Sequence, residues 1–140
     1  MPGFLLDTNV ISELVRTAPE PKVLAWISAQ AVGDLYLAVV TLGELTRGVV
    51  RLPAGRKRVR LTHWVTEDLP RQFDNRILSF DRETAVLWGT LMGNGDRSGR
   101  PCAAADAQIA VTALQHGLMV VTRNTRDFQG MGVSLLDPWV

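Results

Sequence analysis

Phe4-Leu5-Leu6-Asp7-Thr8-Asn9-Val10-Ile11 is the stretch whose reading decides the fold. Its opening apolar run does not alternate and ends abruptly at Asp7-Thr8-Asn9, after which Val10, Ile11, Leu14 and Val15 recur at helical spacing. A short strand buried on both faces therefore turns straight into a helix. The same pattern returns downstream: Asp34 to Val40 reads as a second buried strand running into Thr41-Leu42-Gly43-Glu44. That T-x-x-E segment has the form of a capping box and predicts a helix through about Leu52. Ile77 to Phe80, Leu118 to Thr122 and Val133 to Leu136 are the other strand candidates.

Between the strands the period is helical. Pro19 and Pro21 break the first helix, and Val23, Leu24, Trp26 and Ile27 form the stripe of a second. A longer amphipathic helix is expected over about Arg56 to Phe73, with Val59, Leu61, Trp64, Val65 and Leu69 inward. Asp81 caps a helix carrying Ala85 to Met92, and Ala103 to Leu114 is helical until Gly117 stops it. Gly93 to Pro101, with three Gly, a Pro, Asn, Asp and Ser, reads as a flexible loop. Apolar strands separated by helices predict an α/β fold: a mostly parallel central sheet with helices on both faces and right-handed crossovers. There is no internal repeat, and the breaks are too short for linkers, so residues 1–140 read as one domain.

Composition narrows the class further. The 140 residues carry 15 Lys+Arg against 14 Asp+Glu and are 46% hydrophobic and 21% charged, which excludes disordered and low-complexity readings. Cys102 is the single Cys, and neither it nor His63 and His116 has metal-ligand spacing, so a disulfide scaffold and a zinc site are excluded. No apolar run is long enough to cross a membrane, and Met1-Pro2-Gly3 does not begin a signal peptide; the expectation is a cytoplasmic protein without membrane attachment.

The chemistry sits at the strand exits. In an open parallel sheet, ligands bind beyond the carboxyl ends of the strands. Asp7 ends the first strand, Glu44 lies in the first turn after the second, Asn124 and Asp127 follow the Leu118 strand, and Asp106 is on the helix leading into it. Each has a purely structural alternative. Asp7 and Asn9 fit a helix cap, Glu44 fits the capping-box partner of Thr41, Asp127 fits the cap of a terminal turn and Asn124 a left-handed turn. Asp106 is harder to assign that way: its helical neighbours Cys102, Ile109 and Ala110 are apolar, and no Lys or Arg lies three or four residues away. Burying such a carboxylate is costly without a partner. If these acids share a pocket they repel one another unless a cation intervenes, and all-oxygen ligands suit Mg²⁺, with Mn²⁺ as a substitute.

Four segments taken in order resemble the successive motifs of the PIN domain: Leu5-Leu6-Asp7-Thr8-Asn9-Val10-Ile11-Ser12-Glu13, Thr41-x-x-Glu44-Leu45-x-x-Gly48, Ala104-Ala105-Asp106-x-x-Ile109-Ala110 and Val121-Thr122-Arg123-Asn124-x-x-Asp127-Phe128. Within that family the chain is similar to VapC-type ribonuclease toxins of the FitB-like branch. The resemblance implies a PIN-like three-layer sandwich and a Mg²⁺-dependent endoribonuclease, the toxin of a type II toxin–antitoxin pair. It implies that Asp7, Glu44 and Asp106 hold the metal. The fourth acidic position of the family is Asn124 here, and Asp127 three residues on restores the charge. Thr8, Asn9, Ser12 and Thr122 would orient carboxylates and waters. Metal-activated water would cut to a 5′-phosphate and a 3′-hydroxyl, with one ion resident and any second ion arriving with substrate.

The basic residues are segregated. Arg47, Arg51, Arg56, Lys57, Arg58 and Arg60 occupy a window without Asp or Glu, either a solvated face or a track for RNA; Arg97, Arg100 and Arg123 are further phosphate-contact candidates. Trp26, Trp64, Trp88 and Trp139 read as core residues, some available to an interface. The resemblance also implies a homodimer, and a VapB-type antitoxin whose carboxyl-terminal segment lies in a groove near the first helices, at Val10, Leu14 and Val15, and places an Arg in the acidic pocket. Two alternatives stand beside this reading. An Asp-based phosphotransfer domain also puts Asp at strand ends, but the dehalogenase type needs Asp where Asn9 stands, and the response-regulator type needs a Lys at a later strand end, whereas the only Lys are Lys22 and Lys57. The other is a PIN-like protein that binds RNA or a partner without cutting.

Overall fold

The computed structural model describes residues 3–140, so the Met1-Pro2 start lies outside the described residues. The strands are β1 (Gly3–Leu6), β2 (Leu35–Ala38), β3 (Ile77–Leu78), β4 (Leu118–Val121) and β5 (Leu135–Leu136), in one parallel sheet of order β3-β2-β1-β4-β5. β1 is central, with Leu5 opposite Tyr36 on one side and Val120 on the other. The chain leaves β1 toward one edge and returns on its other side through β4, so β1 is the switch point where ligand crevices form.

Alternation along each strand divides the interior in two. Leu6, Leu35, Leu37 and Val121 enter one core with Val10, Ile11, Val23, Leu45, Val49, Val65 and Leu69. Leu5, Ala38 and Val120 enter the other with Ile109, Ala110, Ala113, Phe128 and Met131. Helices thus cover both faces, the three-layer arrangement expected. They are α1 (Thr8–Leu14), α2 (Pro21–Ser28), α3 (Val39–Val50), α4 (Arg56–His63), α5 (Leu69–Gln72), α6 (Arg82–Arg97) and α7 (Ala104–His116). Asp81 caps α6 as expected, accepting from the Thr84 N–H, and Gly117 ends α7 at φ +66°, a conformation that favours glycine.

Three local expectations are corrected. The helix after β2 begins at Val39, with Ala38 at its N-cap and no side-chain cap, so Thr41-x-x-Glu44 does not form a capping box. The earlier start puts Thr41, Leu45 and Val49 on one inward stripe at four-residue spacing, and Thr41 is fully buried. The helix expected over Arg56 to Phe73 is interrupted by a π-turn at Trp64–Asp68. Pro70 lacks the N–H that an unbroken α-helix would aim at the Thr66 carbonyl, and the wider turn accommodates it while Val65, Leu69 and Phe73 remain buried. Finally, the loop expected over Gly93 to Pro101 is helical through Arg97. Gly95 is there for close approach: a Cβ on it would lie 2.7 Å from the Arg100 carbonyl oxygen, while the Arg100 N–H donates to the Gly95 carbonyl at 2.8 Å. Among the described residues no helix is long and apolar enough to cross a membrane.

Candidate active site

Asp7 anchors the site because the sheet delivers it. Its N–H still belongs to the ladder, donating to the Val121 carbonyl at 2.9 Å, while its side chain caps α1 by accepting from the Thr8 N–H at 2.8 Å. The second carboxylate oxygen accepts from Thr122 Oγ1 at 2.7 Å and from Asn9 Nδ2 at 3.2 Å. Thr122 is fully buried at the end of β4 and also accepts from the Asn124 N–H at 3.0 Å. Asn9 closes the circuit, accepting the Arg123 N–H at 3.2 Å. Capping and site-building are therefore the same geometry, and the two readings of Asp7 and Asn9 do not compete.

Glu44, freed from any capping role, points back across α3 to α1, where its Oε1 accepts from Thr8 Oγ1 at 2.5 Å; Thr41 Oγ1 lies 3.4 Å from the same hydroxyl. Asp7, Glu44, Asp106 and Asn124 then line one open cleft of about 410 Å³ with Thr8, Asn9, Ser12, Glu13 and Arg16. Asp127, exposed on the 3-10 turn Thr125–Phe128, does not line it. Asn124 has φ −97°, so no left-handed turn explains it.

Electrostatics sets this cleft apart. Burial raises the Asp7 carboxyl above its ordinary range; the bonds from Thr122 and Thr8 pull the other way, and the charges of Glu44 and Asp127 add to the rise. Asp106 is half-buried and pushed up to about 6, by desolvation first and then by the charges of Asp7, Asp127 and Glu44. Asp7 and Asp106 thus share their surroundings with the charges of Glu44 and Asp127. Among the described residues the only ion pairs are Arg16–Glu13 and His63–Asp68, so none of the four has a basic partner within 4 Å. No three acidic, His or Cys side chains among the described residues converge as a preformed metal cage. The donors that line the cleft are carboxylate, amide and hydroxyl oxygens with no His or Cys, a donor set suited to a hard cation such as Mg²⁺ rather than to Zn²⁺.

The predicted basic residues separate. Lys57 and Arg60 line a larger groove of about 510 Å³ that continues from the acidic cleft through Thr8, Ser12 and Glu44, between α1, α3 and α4. Arg47, Arg51, Arg56 and Arg58 lie outside its lining. Arg100 lines a separate cavity with Cys102 and Gly130, and Arg97 ends α6; neither lines the acidic cleft. Of the expected groove residues, Val15 lines it, whereas Val10 is fully buried and Leu14 packs on the core. The tryptophans are half-buried rather than central: Trp64 lines the groove, and Trp88 Nε1 donates to the Ala104 carbonyl, tying α6 to α7.

Sequence reasoning missed Glu13 and Arg16. Glu13 is buried on α1, its Oε2 accepting the Glu20 N–H at 2.8 Å and its Oε1 facing Arg16 at 3.2 Å. The signal was present: a carboxylate between Ile11 and Leu14 with an Arg three residues on.

This fold, with its acidic cleft at the switch point, defines a class, and the PIN-domain family model matches residues 4–133. The chain belongs to the PIN-domain family. It is 39% identical over 136 residues to VapC ribonuclease Y4jK of Sinorhizobium fredii, covering 97% of each chain. It is likewise 39% identical over 136 residues to toxin FitB of Neisseria gonorrhoeae, covering 97% of this chain and 98% of FitB. Among solved structures, that of FitAB bound to an IR36 DNA fragment superposes with a TM-score of 0.90 at 37% identity, covering 98% of this chain and 96% of that one.

Proposed function

We propose that the protein is a Mg²⁺-dependent endoribonuclease, the toxin of a type II toxin–antitoxin pair. One observation carries this reading: Asp7, Glu44 and Asp106 line one cleft at the switch point of the parallel sheet, and among the described residues none of them has an ion-pair partner. The likeness to a VapC ribonuclease and to toxin FitB over nearly the whole chain supports the substrate class.

Asp7, Glu44 and Asp106 would hold the ion, with the Asn124 side-chain oxygen as a neutral ligand and Asp127 adding charge from the rim. When bound, the ion lowers the pKa of a coordinated water and offsets charge developing on the phosphate. The chain's own residues do the rest. Thr122 and Asn9 hold Asp7 in one orientation, and Thr8 holds Glu44, so these two carboxylates are oriented before an ion arrives. Lys57 and Arg60 give the adjoining groove positive charge to receive the RNA backbone. The same groove, apolar at Val15, Leu45, Val49, Leu61 and Trp64, suits the carboxyl-terminal segment of a VapB-type antitoxin, whose occupancy would exclude RNA. The likeness to the FitAB structure supports a dimeric assembly, and the expected compartment is the cytoplasm.

Sequencing of RNA ends after brief expression tests the reading. New 5′-phosphate ends at a small set of sites are expected, and Asp7→Asn abolishes them. Unaltered ends with wild-type protein would leave the non-catalytic PIN-like alternative. An Asp-based phosphotransfer domain is not supported, since Lys22 begins α2 and Lys57 sits on α4, away from any strand end.

A further inference from the structure

A second cleft of about 450 Å³ adjoins the acidic one, and Glu13 and Arg16 line both. Arg123 and Trp139 complete its lining with Pro19, Glu20 and Pro21. The Arg123 guanidinium lies over the Trp139 ring, 5.3 Å from its centroid, and its backbone N–H is tied to Asn9, which itself touches Asp7. Trp139 in turn packs on the core and is held by its N–H donating to Asp137 Oδ1 at 2.8 Å. Arg123 is therefore an exposed cation on a fixed support. Among the described residues it has no carboxylate within salt-bridge distance. Arg16 is largely exposed at 63%, and its guanidinium Nη1 donates to Glu13 Oε1 at 3.2 Å. Arg16 lines the Lys57–Arg60 groove, the acidic cleft and this second cleft alike, whereas Arg123 and Trp139 line only the last, so the three cavities form one continuous surface with guanidiniums beside the acids.

We propose that Arg16, Arg123 and Trp139 form a nucleotide subsite that grips the RNA strand beside the cut bond. Arg16 and Arg123 contact flanking phosphates, and the outer face of the Arg123 guanidinium, backed by Trp139, stacks a base. Glu13 is the positioning residue for Arg16. This rests on the ribonuclease reading of the acidic cleft.

The test uses the full chain and a single-stranded RNA oligonucleotide containing one cleaved site. Arg16→Gln with Arg123→Gln raises KM roughly tenfold or more while kcat changes only a few-fold. The salt dependence of RNA binding falls by about 1.4 in the log–log slope, the loss of two single-strand phosphate contacts at about 0.7 each. A neutral methylphosphonate at the flanking position weakens wild-type binding but no longer affects the double variant. Trp139→Phe, which keeps an aromatic support, restores most of the affinity lost in Trp139→Leu. If wild-type protein cleaves the oligonucleotide and the double variant shows the same KM and salt slope, the subsite is refuted and the nuclease reading stands. If the wild type neither binds nor cleaves RNA, both fall. A double variant that keeps RNA affinity but loses affinity for a carboxyl-terminal antitoxin peptide overturns the subsite in favour of a protein-binding surface.

Discussion

Glu13 and Asp106 line the same cleft, each on a helix and each partly withdrawn from water, and the chain treats them in opposite ways. Glu13 receives the Glu20 N–H and the Arg16 guanidinium, and these hold its carboxyl below the ordinary range. Asp106 receives no side-chain hydrogen bond or cation from the described residues and is pushed up to about 6. Glu13 has its partners built in, whereas Asp106, beside Asp7 and Glu44, is left open to the cation proposed above. Satisfaction, more than burial or sequence motif, distinguishes the two roles.

The strongest way to break this contrast is through activity. Asp7→Asn and Asp106→Asn each lower kcat by roughly 10³-fold, the several kcal/mol that metal-assisted charge stabilisation supplies, in a Mg²⁺-dependent cleavage assay. Glu13→Gln retains kcat within a few-fold. Near-wild-type cleavage by Asp106→Asn, or loss of all cleavage in a folded Glu13→Gln protein, would reverse the assignments.

Stability gives the opposite order. Glu13→Gln lowers the melting temperature, because the amide cannot accept from both the Glu20 N–H and Arg16 with the strength of a charge. Asp106→Asn raises it in metal-free buffer, since it removes repulsion with Asp7, Asp127 and Glu44. The gain is modest because Asp106 is half-exposed and water screens it. A thermal melt in chelator, showing Asp106→Asn unchanged or less stable, would mean the cleft holds no uncompensated charge.

Titration separates the two carboxylates further. Asp106 ionises at about 6 when folded against 3.8 ordinarily, so between those values the metal-free folded state binds the extra proton. Its stabilising effect is complete below 3.8 and is lost as pH rises through 6, and Asp7 acts in the same direction. Glu13 works the other way: its contribution is present above 4.5 and is lost as pH falls through its depressed folded value. Metal-free melts should therefore gain stability from pH 7 toward pH 5, and saturating Mg²⁺ should cancel that rise by favouring the deprotonated acids. A flat metal-free profile over that range would remove the proposed coupling.

Much of this was legible in the residues. Asp7 and Asn9 were readable because strand, cap and motif coincide in consecutive positions, and Asp106 because an acid among alanines has no local excuse. Glu44 was legible as a family position, yet its local reading as a capping partner was wrong: tertiary burial of Thr41, Leu45 and Val49 reset the helix start and turned Glu44 toward Thr8. Gly95 misled in the same way, since composition cannot distinguish a glycine used for flexibility from one used for the Arg100 contact. Arg123 was read from the sequence as a phosphate-contact candidate, but its pairing with Trp139 and its nearness to Arg16 were not legible, because 16 positions separate it from Trp139 and 107 from Arg16. Only the sheet order, with β1 beside β4, brings them to one wall.

The smallest expected effect sharpens the contrast most. Asn124 lines the cleft as the one neutral ligand candidate, its N–H already used by Thr122. Asn124→Asp adds a further uncompensated carboxylate to the Asp106 side and none to the Glu13 side. In calorimetric titration Mg²⁺ should bind roughly tenfold tighter, about 1.4 kcal/mol, as ligand charge increases. Without metal the same variant should melt lower and shift the Asp106 titration upward, whereas a protein whose cleft were already balanced would show neither. Tighter binding with no metal-free penalty would place the new carboxylate away from Asp7 and Asp106. Unchanged affinity would remove Asn124 from the metal and leave Asp127 as the source of the fourth charge.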